Sequence, residues 1–200
     1  HSDGKAALAN PLNGKPGPLV TGLIEKGKAV LVIDTFLIGD HHSPFAKTVR
    51  QTVGAFHDTF APSDTAYRIQ DILTALAFLR SRRDLTGRTQ LVGLGTAGVW
   101  CAFAAALDDS VANTVIDANH FDIEDDRAWL DTYNLPCIRS TGDIHTAAAM
   151  VAPRSLTLFH ASPSFGTAVN ARYKAVDAEA FLFVRQDPLN SEALLSALDV

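Results

Sequence analysis

The chain has 200 residues, of which 47% are hydrophobic and 20% charged, and its formal net charge is −5. A chain of this length forms one domain with a sizeable core, and its composition excludes a disordered, collagenous or coiled-coil protein. No apolar stretch is long enough for a transmembrane helix. The acidic balance, with a basic run only at 80–83, argues against a nucleic acid or an anionic membrane as partner.

Strands and helices alternate in the predicted order of elements. A short helix over 18–27 precedes the apolar, β-branched run from Val30 to Ile33, which is typical of a strand buried on both faces. A long amphipathic helix over 63–83 follows. Further strands are predicted at 89–93, 112–117, 155–160 and 180–184, and further helices at 97–107, 124–130, 143–151 and 191–198. This order predicts an α/β fold, with a mainly parallel sheet covered by helices on both faces.

A glycine-rich motif, Gly93-Leu94-Gly95-Thr96-Ala97-Gly98, separates a predicted strand from a predicted helix. It matches the dinucleotide pattern G-x-G-x-x-G, in which Gly93, Gly95 and Gly98 would bind a pyrophosphate and Asp117 a ribose. The turn also fits a nucleophile elbow whose nucleophile has been lost, with Gly95 at the vacant position. A third interpretation is that small residues only let the helix pack closely on the strand.

Four further stretches follow one another as in a known protein family. They lie at residues 1–5, 28–34, 68–79 and 148–156. With the glycine turn, they make the chain similar to the later two-thirds of an α/β-hydrolase of the acetyl xylan esterase or dienelactone hydrolase type. The resemblance implies a single hydrolase-like domain over 1–200 that lacks the first strands of the sheet. We therefore expect the later part of a longer, secreted or periplasmic protein.

The resemblance places the catalytic triad at positions without suitable side chains. Gly95 stands at the nucleophile position, Ser164 at the acid and Asp187 at the base, and no histidine follows residue 160. The former oxyanion donors would be the Thr96 N–H and a group near Ser2. We expect an esterase-like domain that is catalytically inactive and serves as an accessory or structural part of a larger esterase. An active ester hydrolase with unconventional residues and an NAD(P)-binding domain remain alternatives.

The missing strands would leave one edge of the strand from Val30 to Ile33 unpaired. A preceding domain or a neighbouring chain is expected to cover that edge. The elbow strand of a hydrolase is central in its sheet, so an edge position for residues 91–93 would contradict the resemblance. A carbohydrate ester is the ligand class that the resemblance implies, and no cofactor is expected.

Two groups of polar residues have metal-ligand side chains without the spacing of a metal site. They are Asp40, His41, His42, His57 and Asp58, and His120, Asp122, Glu124, Asp125 and Asp126. We expect both groups to be solvated loops rather than metal sites. Cys101 is expected to be buried and unreactive, and a disulfide between Cys101 and Cys137 is left open.

Overall fold

The computed structural model describes residues 1–10, 12–42 and 61–199, and these contain a four-stranded sheet. The strands are β1 (Thr89–Gly93), β2 (Val111–Asp117), β3 (Ser155–Phe159) and β4 (Leu182–Val184). They lie side by side in chain order, and every neighbouring pair is parallel. The predicted α/β fold with a mainly parallel sheet is confirmed.

Helices connect the strands and cover both faces of the sheet. They are α1 (Pro18–Glu25), α2 (Asp64–Ser81), α3 (Ala97–Leu107), α4 (Asp126–Ala128), α5 (Asp143–Val151), α6 (Pro163–Lys174) and α7 (Ser191–Ala197). Right-handed crossovers between strands in consecutive order place α3, α5 and α6 on one face. The helix α2 packs on α3, whereas α1 and α7 pack together on the opposite face.

Each face of the sheet has its own apolar core. Successive strand residues point to opposite faces, so Val115 and Phe159 pack with α1 and α7. Their neighbours Ile116 and Leu158 pack in the larger core beneath α3, α5 and α6. Both faces of β2 and β3 are therefore buried, as expected for the middle of a parallel sheet.

The helix α6 was not among the predicted elements. Ser162 caps it by accepting a hydrogen bond from the Phe165 N–H at 3.3 Å, and Pro163 occupies the first turn. Buried Phe165, Val169 and Tyr173 then recur at helical spacing. A capping serine, a proline at the first helical position and this apolar spacing together are the sequence signal for the helix.

The prediction of a strand from Val30 to Ile33 was wrong, because a strand needs a hydrogen-bonded neighbour. These residues are not part of any strand in the structure, and β1 forms one edge of the described sheet. The central position expected for the elbow strand is therefore not observed among the described residues, and this edge position counts against the resemblance to a hydrolase. No helix among the described residues combines the length and hydropathy required to cross a bilayer.

Candidate functional site

The glycine motif forms a tight turn from the carboxyl end of β1 into α3. Gly95 has a φ of +64°, in the left-handed region that favours glycine. Gly93 lies against α3, and a Cβ there would be 2.7 Å from the Cα of Gly98. Gly98 in turn lies so close to β2 that a Cβ would overlap the carbonyl oxygen of Asp117. Close packing alone thus accounts for two of the three glycines.

The space beside Gly95 is occupied by the hydroxyl of Ser2. A Cβ at Gly95 would lie 2.6 Å from Ser2 Oγ, which is closer than non-bonded atoms normally approach. The backbone fixes this arrangement, because the Ser2 N–H donates a hydrogen bond to the Leu94 carbonyl at 3.1 Å. Thr96 is the residue before α3, and its side chain does not cap the helix. The structure therefore places Ser2 beside Gly95, the residue before Thr96, and the oxyanion role expected for Ser2 and Thr96 stays a prediction.

Hydrogen bonds and an ion pair to Asp34 hold the amino-terminal segment in this position. The buried carboxylate of Asp34 accepts hydrogen bonds from the Lys5 N–H at 2.6 Å and the Asp40 N–H at 2.9 Å. The Lys5 ammonium lies 3.4 Å from it. Desolvation favours a higher pKa for Asp34, but these backbone hydrogen bonds and the Lys5 charge outweigh it and lower the pKa.

Ser164 and Asp187, at which the resemblance places the acid and the base, lie at the start of α6 and after β4. Ser164 lies in the first turn of α6, where its hydroxyl donates to Asp122 Oδ1 at 2.8 Å. The Glu124 N–H and this hydroxyl lower the pKa of Asp122. Asp187 is exposed after β4, and its backbone carbonyl accepts a hydrogen bond from the His160 N–H at 3.0 Å.

An Asp–His pair that the sequence analysis did not single out lies at the carboxyl edge of the sheet. Asp117 ends β2 and His160 follows β3, and Oδ1 of Asp117 is 3.3 Å from Nδ1 of His160. This contact lacks the alignment of a hydrogen bond. The His120 ring lies against His160, with ring centroids 3.9 Å apart. The sequence indicates that the carboxyl ends of adjacent parallel strands lie at one edge of the sheet, but the register that brings Asp117 to His160 is given only by the structure.

The same pair bears on the dinucleotide alternative. Oδ1 of Asp117 accepts a hydrogen bond from the Asn119 N–H at 2.8 Å and also faces His160. A ribose hydroxyl would compete with both groups for this carboxylate. The carboxylate proposed for ribose binding therefore already has partners within the protein.

Metal-ligand side chains do not converge in the part of the chain that the structure describes. No group of three or more histidine, cysteine or acidic residues there could hold an ion. His57 and Asp58 lie outside the described residues. The acidic residues around α4 have other partners: Asp125 caps the helix, and Asp126 pairs with Arg139. Cys101 and Cys137 are both free thiols, the first buried and the second exposed.

No protein-family model, curated protein or solved structure matches this chain.

Proposed function

We propose that this chain is an esterase-like domain of the α/β-hydrolase type that has lost its own catalysis and supports a larger esterase. The observation that carries the proposal is the contact between Ser2 and Gly95. A strand–turn–helix motif with a left-handed residue at its apex is the backbone of a nucleophile elbow. Here the apex has no side chain, and a neighbouring hydroxyl occupies the space that a nucleophile would need.

The state of the other triad positions supports loss of activity. Ser164 is hydrogen-bonded to Asp122, and Asp187 is exposed in the loop after β4. Loss of a single triad member lowers turnover by about 10⁴-fold or more, and the losses do not add because the triad works as a unit. A domain without all three groups retains at most the assistance of its oxyanion donors.

The edge position of β1 places a condition on this proposal. A hydrolase has its elbow strand inside the sheet, whereas one side of β1 is unpaired in the described residues. The proposal therefore requires another strand beside β1. An esterase-like role fails if that side of β1 cannot accept one.

Hydrolysis of p-nitrophenyl acetate tests the loss of catalysis. We expect the wild-type chain to be no faster than a surface variant, Gly87→Ala, purified in the same way. We expect Gly95→Ser also to be inactive, because a hydroxyl without a base is a weak nucleophile. Turnover by the wild-type chain that disappears in Thr96→Val would contradict the proposal and assign Thr96 as the nucleophile.

An active hydrolase with unconventional residues is the second candidate, and the geometry at Ser2 favours it over other enzymes. Ser2 carries a hydroxyl at the elbow, and the pair of His160 and Asp117 has the residue types of a base and its orienting acid. Ester cleavage that is lost in both Ser2→Ala and His160→Gln would establish this alternative. NAD(P) binding, the third possibility, predicts a nucleotide-dependent rise in melting temperature that Asp117→Asn abolishes.

A further inference from the structure

A large cleft runs along the outer edge of β1. Its volume is about 970 Å³, and its lining includes β1 and most of residues 28–35, which form neither a helix nor a turn. The wall opposite β1 is formed by Val30, Leu31, Val32 and Ile33, and His1 lies among the lining residues. The cleft is thus bounded on two sides by β1 and by residues 28–33, and residues of α1, α2 and α7 also line it.

The two walls of the cleft run in the same direction. At one end, the Lys28 ammonium donates to the Gln90 side-chain carbonyl at 3.2 Å, near the start of β1. At the other end, Asp34 holds the Lys5 backbone, and the nearby Ser2 backbone is bonded to Leu94 just beyond β1. Residues 28–34 therefore run parallel to β1.

Side chains of both walls alternate between the two faces of the sheet. Val30 and Val92 pack in the core beside α1 and α7. Ile33 and Leu91 pack in the core beside α2 and α3. The same two cores thus continue across the cleft, one above it and one below. An occupant would have apolar surroundings on both faces, as in the interior of a parallel sheet.

The outer edge of β1 offers a regular row of backbone groups. The Leu94 carbonyl already accepts a hydrogen bond on the cleft side, from Ser2. Because backbone groups alternate in direction along a strand, the N–H and C=O groups of Gln90 and Val92 face the cleft as well. Those of Leu91 and Gly93 face β2, with which β1 is paired.

Apolar side chains on both walls of the cleft are partly exposed, which favours binding of an apolar occupant. Leu91 and Val92 of β1 are only half-buried, whereas most residues of β2 are fully buried. Leu31, on the opposite wall, is 44% exposed. An unpaired, apolar edge of this kind is a site for addition of another strand.

We propose that this cleft binds one extended, apolar polypeptide segment, which pairs in parallel with β1 and leads into His1. The Ser2–Leu94 hydrogen bond sets the direction, because residues on the amino side of Ser2 would continue along β1 toward Gln90. A segment of five residues matches the length of β1. This inference rests on the backbone and the two cores, and it holds whether or not the domain is catalytic.

Amide hydrogen exchange on an extended chain tests the proposal. The strand variant carries Val-Val-Leu-Val-Ile joined directly to His1, and its control carries the same segment with prolines at the second and fourth positions. Proline cannot donate to a ladder and is excluded from paired strands. We expect exchange at Val92 to slow by about tenfold or more in the strand variant relative to the unextended chain and the control. Exchange at Leu91, which faces β2, should slow much less, so that Leu91 serves as an internal reference.

Several results would overturn the proposal. One is that exchange at Val92 slows equally in the strand variant and in the proline control. Another is that exchange at Val92 slows in neither of them. Protection in the unextended chain that rises with protein concentration would assign the cleft to a second copy instead. Should the strand variant not fold, the free pentapeptide is added to the unextended chain, and absence of selective protection at Val92 then counts against the proposal. Failure of this test would also remove the strand beside β1 that the proposed esterase-like role requires, whereas ester hydrolysis by the wild-type chain would contradict only the proposed loss of catalysis. The two experiments therefore distinguish failure of the added strand from failure of the proposed inactivity.

Discussion

Gly98 at the start of α3 lies directly against the backbone of Asp117 at the end of β2, with no room for a side chain between them. This contact joins the helix that follows the glycine turn to the neighbouring strand. It also brings the end of β2, where the Asp117–His160 pair lies, close to the turn. The third glycine of the motif thus has a packing role that needs no bound phosphate.

Gly98→Ala is therefore expected to destabilise the fold strongly. The added Cβ would meet backbone atoms that cannot rotate away, and overpacking of this kind costs about 3 kcal/mol. Gly87→Ala is the matched control, since nothing lies within 4 Å of a Cβ there. Urea unfolding at pH 7 measures the difference. Equal free energies of unfolding for the two variants would show that α3 can shift away from β2.

Gly95→Ala should lower the free energy of unfolding by more than the strain of a left-handed alanine alone. A Cβ at a left-handed residue costs about 1 kcal/mol, and contact with Ser2 Oγ should add about another 1 kcal/mol. Gly14→Ala isolates the backbone contribution, because Gly14 has a φ of +66° and no atom within 4 Å of its Cβ position. In a Ser2→Gly background, the cost of Gly95→Ala should fall to that of Gly14→Ala. An unchanged cost in that background would exclude the Ser2 contact.

Asp34→Asn should reduce stability at neutral pH and have progressively less effect in acid. The folded-state pKa of Asp34 lies below its ordinary value of 3.8, so its contribution is complete above that value and is lost as the pH falls through the folded pKa. Loss of the charged hydrogen bonds should cost about 2 kcal/mol at pH 7.

The free energy of unfolding at pH 7, 5 and 3 measures this dependence. The control is Asp84→Asn, which removes an exposed carboxylate paired with Arg82 two residues away. That pair is local in the chain, and its removal should change stability much less. A loss for Asp34→Asn that stays constant from pH 7 to pH 3 would contradict the role assigned to the charge.

The two cysteines should differ sharply in their reaction with a thiol reagent. Burial raises the pKa of Cys101 to about 12, so that only about 10⁻⁴ of it is thiolate at pH 8. Cys137 is exposed. We expect one rapidly titrating thiol in the native chain, two in denaturant and none rapidly in native Cys137→Ser. Rapid titration of two thiols in the native chain would show that α3 opens readily.

Much of the fold follows from local sequence. The alanine-rich run after the glycine turn predicts a helix over 97–107, and α3 has these bounds. The segments that form β2 and β3 are identifiable because they are rich in β-branched and apolar residues, as expected for strands whose two faces are both buried. The alternation of such runs with helices is sufficient to predict a parallel sheet.

Parts of the site were also accessible from sequence, and others were not. A tight turn at Gly95 follows from the glycine motif, whereas the contact of Ser2 with Gly95 joins residues 93 positions apart and is decided by the tertiary structure. The partners of Ser164 do not, because Asp122 lies 42 residues away along the chain. The pairing of Asp117 with His160 likewise depends on the register between β2 and β3, which no local pattern specifies.

The run from Val30 to Ile33 separates what the sequence by itself determined from what only the tertiary structure decided. Its β-branched, apolar residues favour an extended backbone, and in the structure they form neither a helix nor a turn. Whether that backbone becomes a strand is decided by hydrogen bonds to a neighbour, and the cleft separates it from β1. A side-chain pattern can favour an extended conformation, but a sheet exists only where two backbones meet.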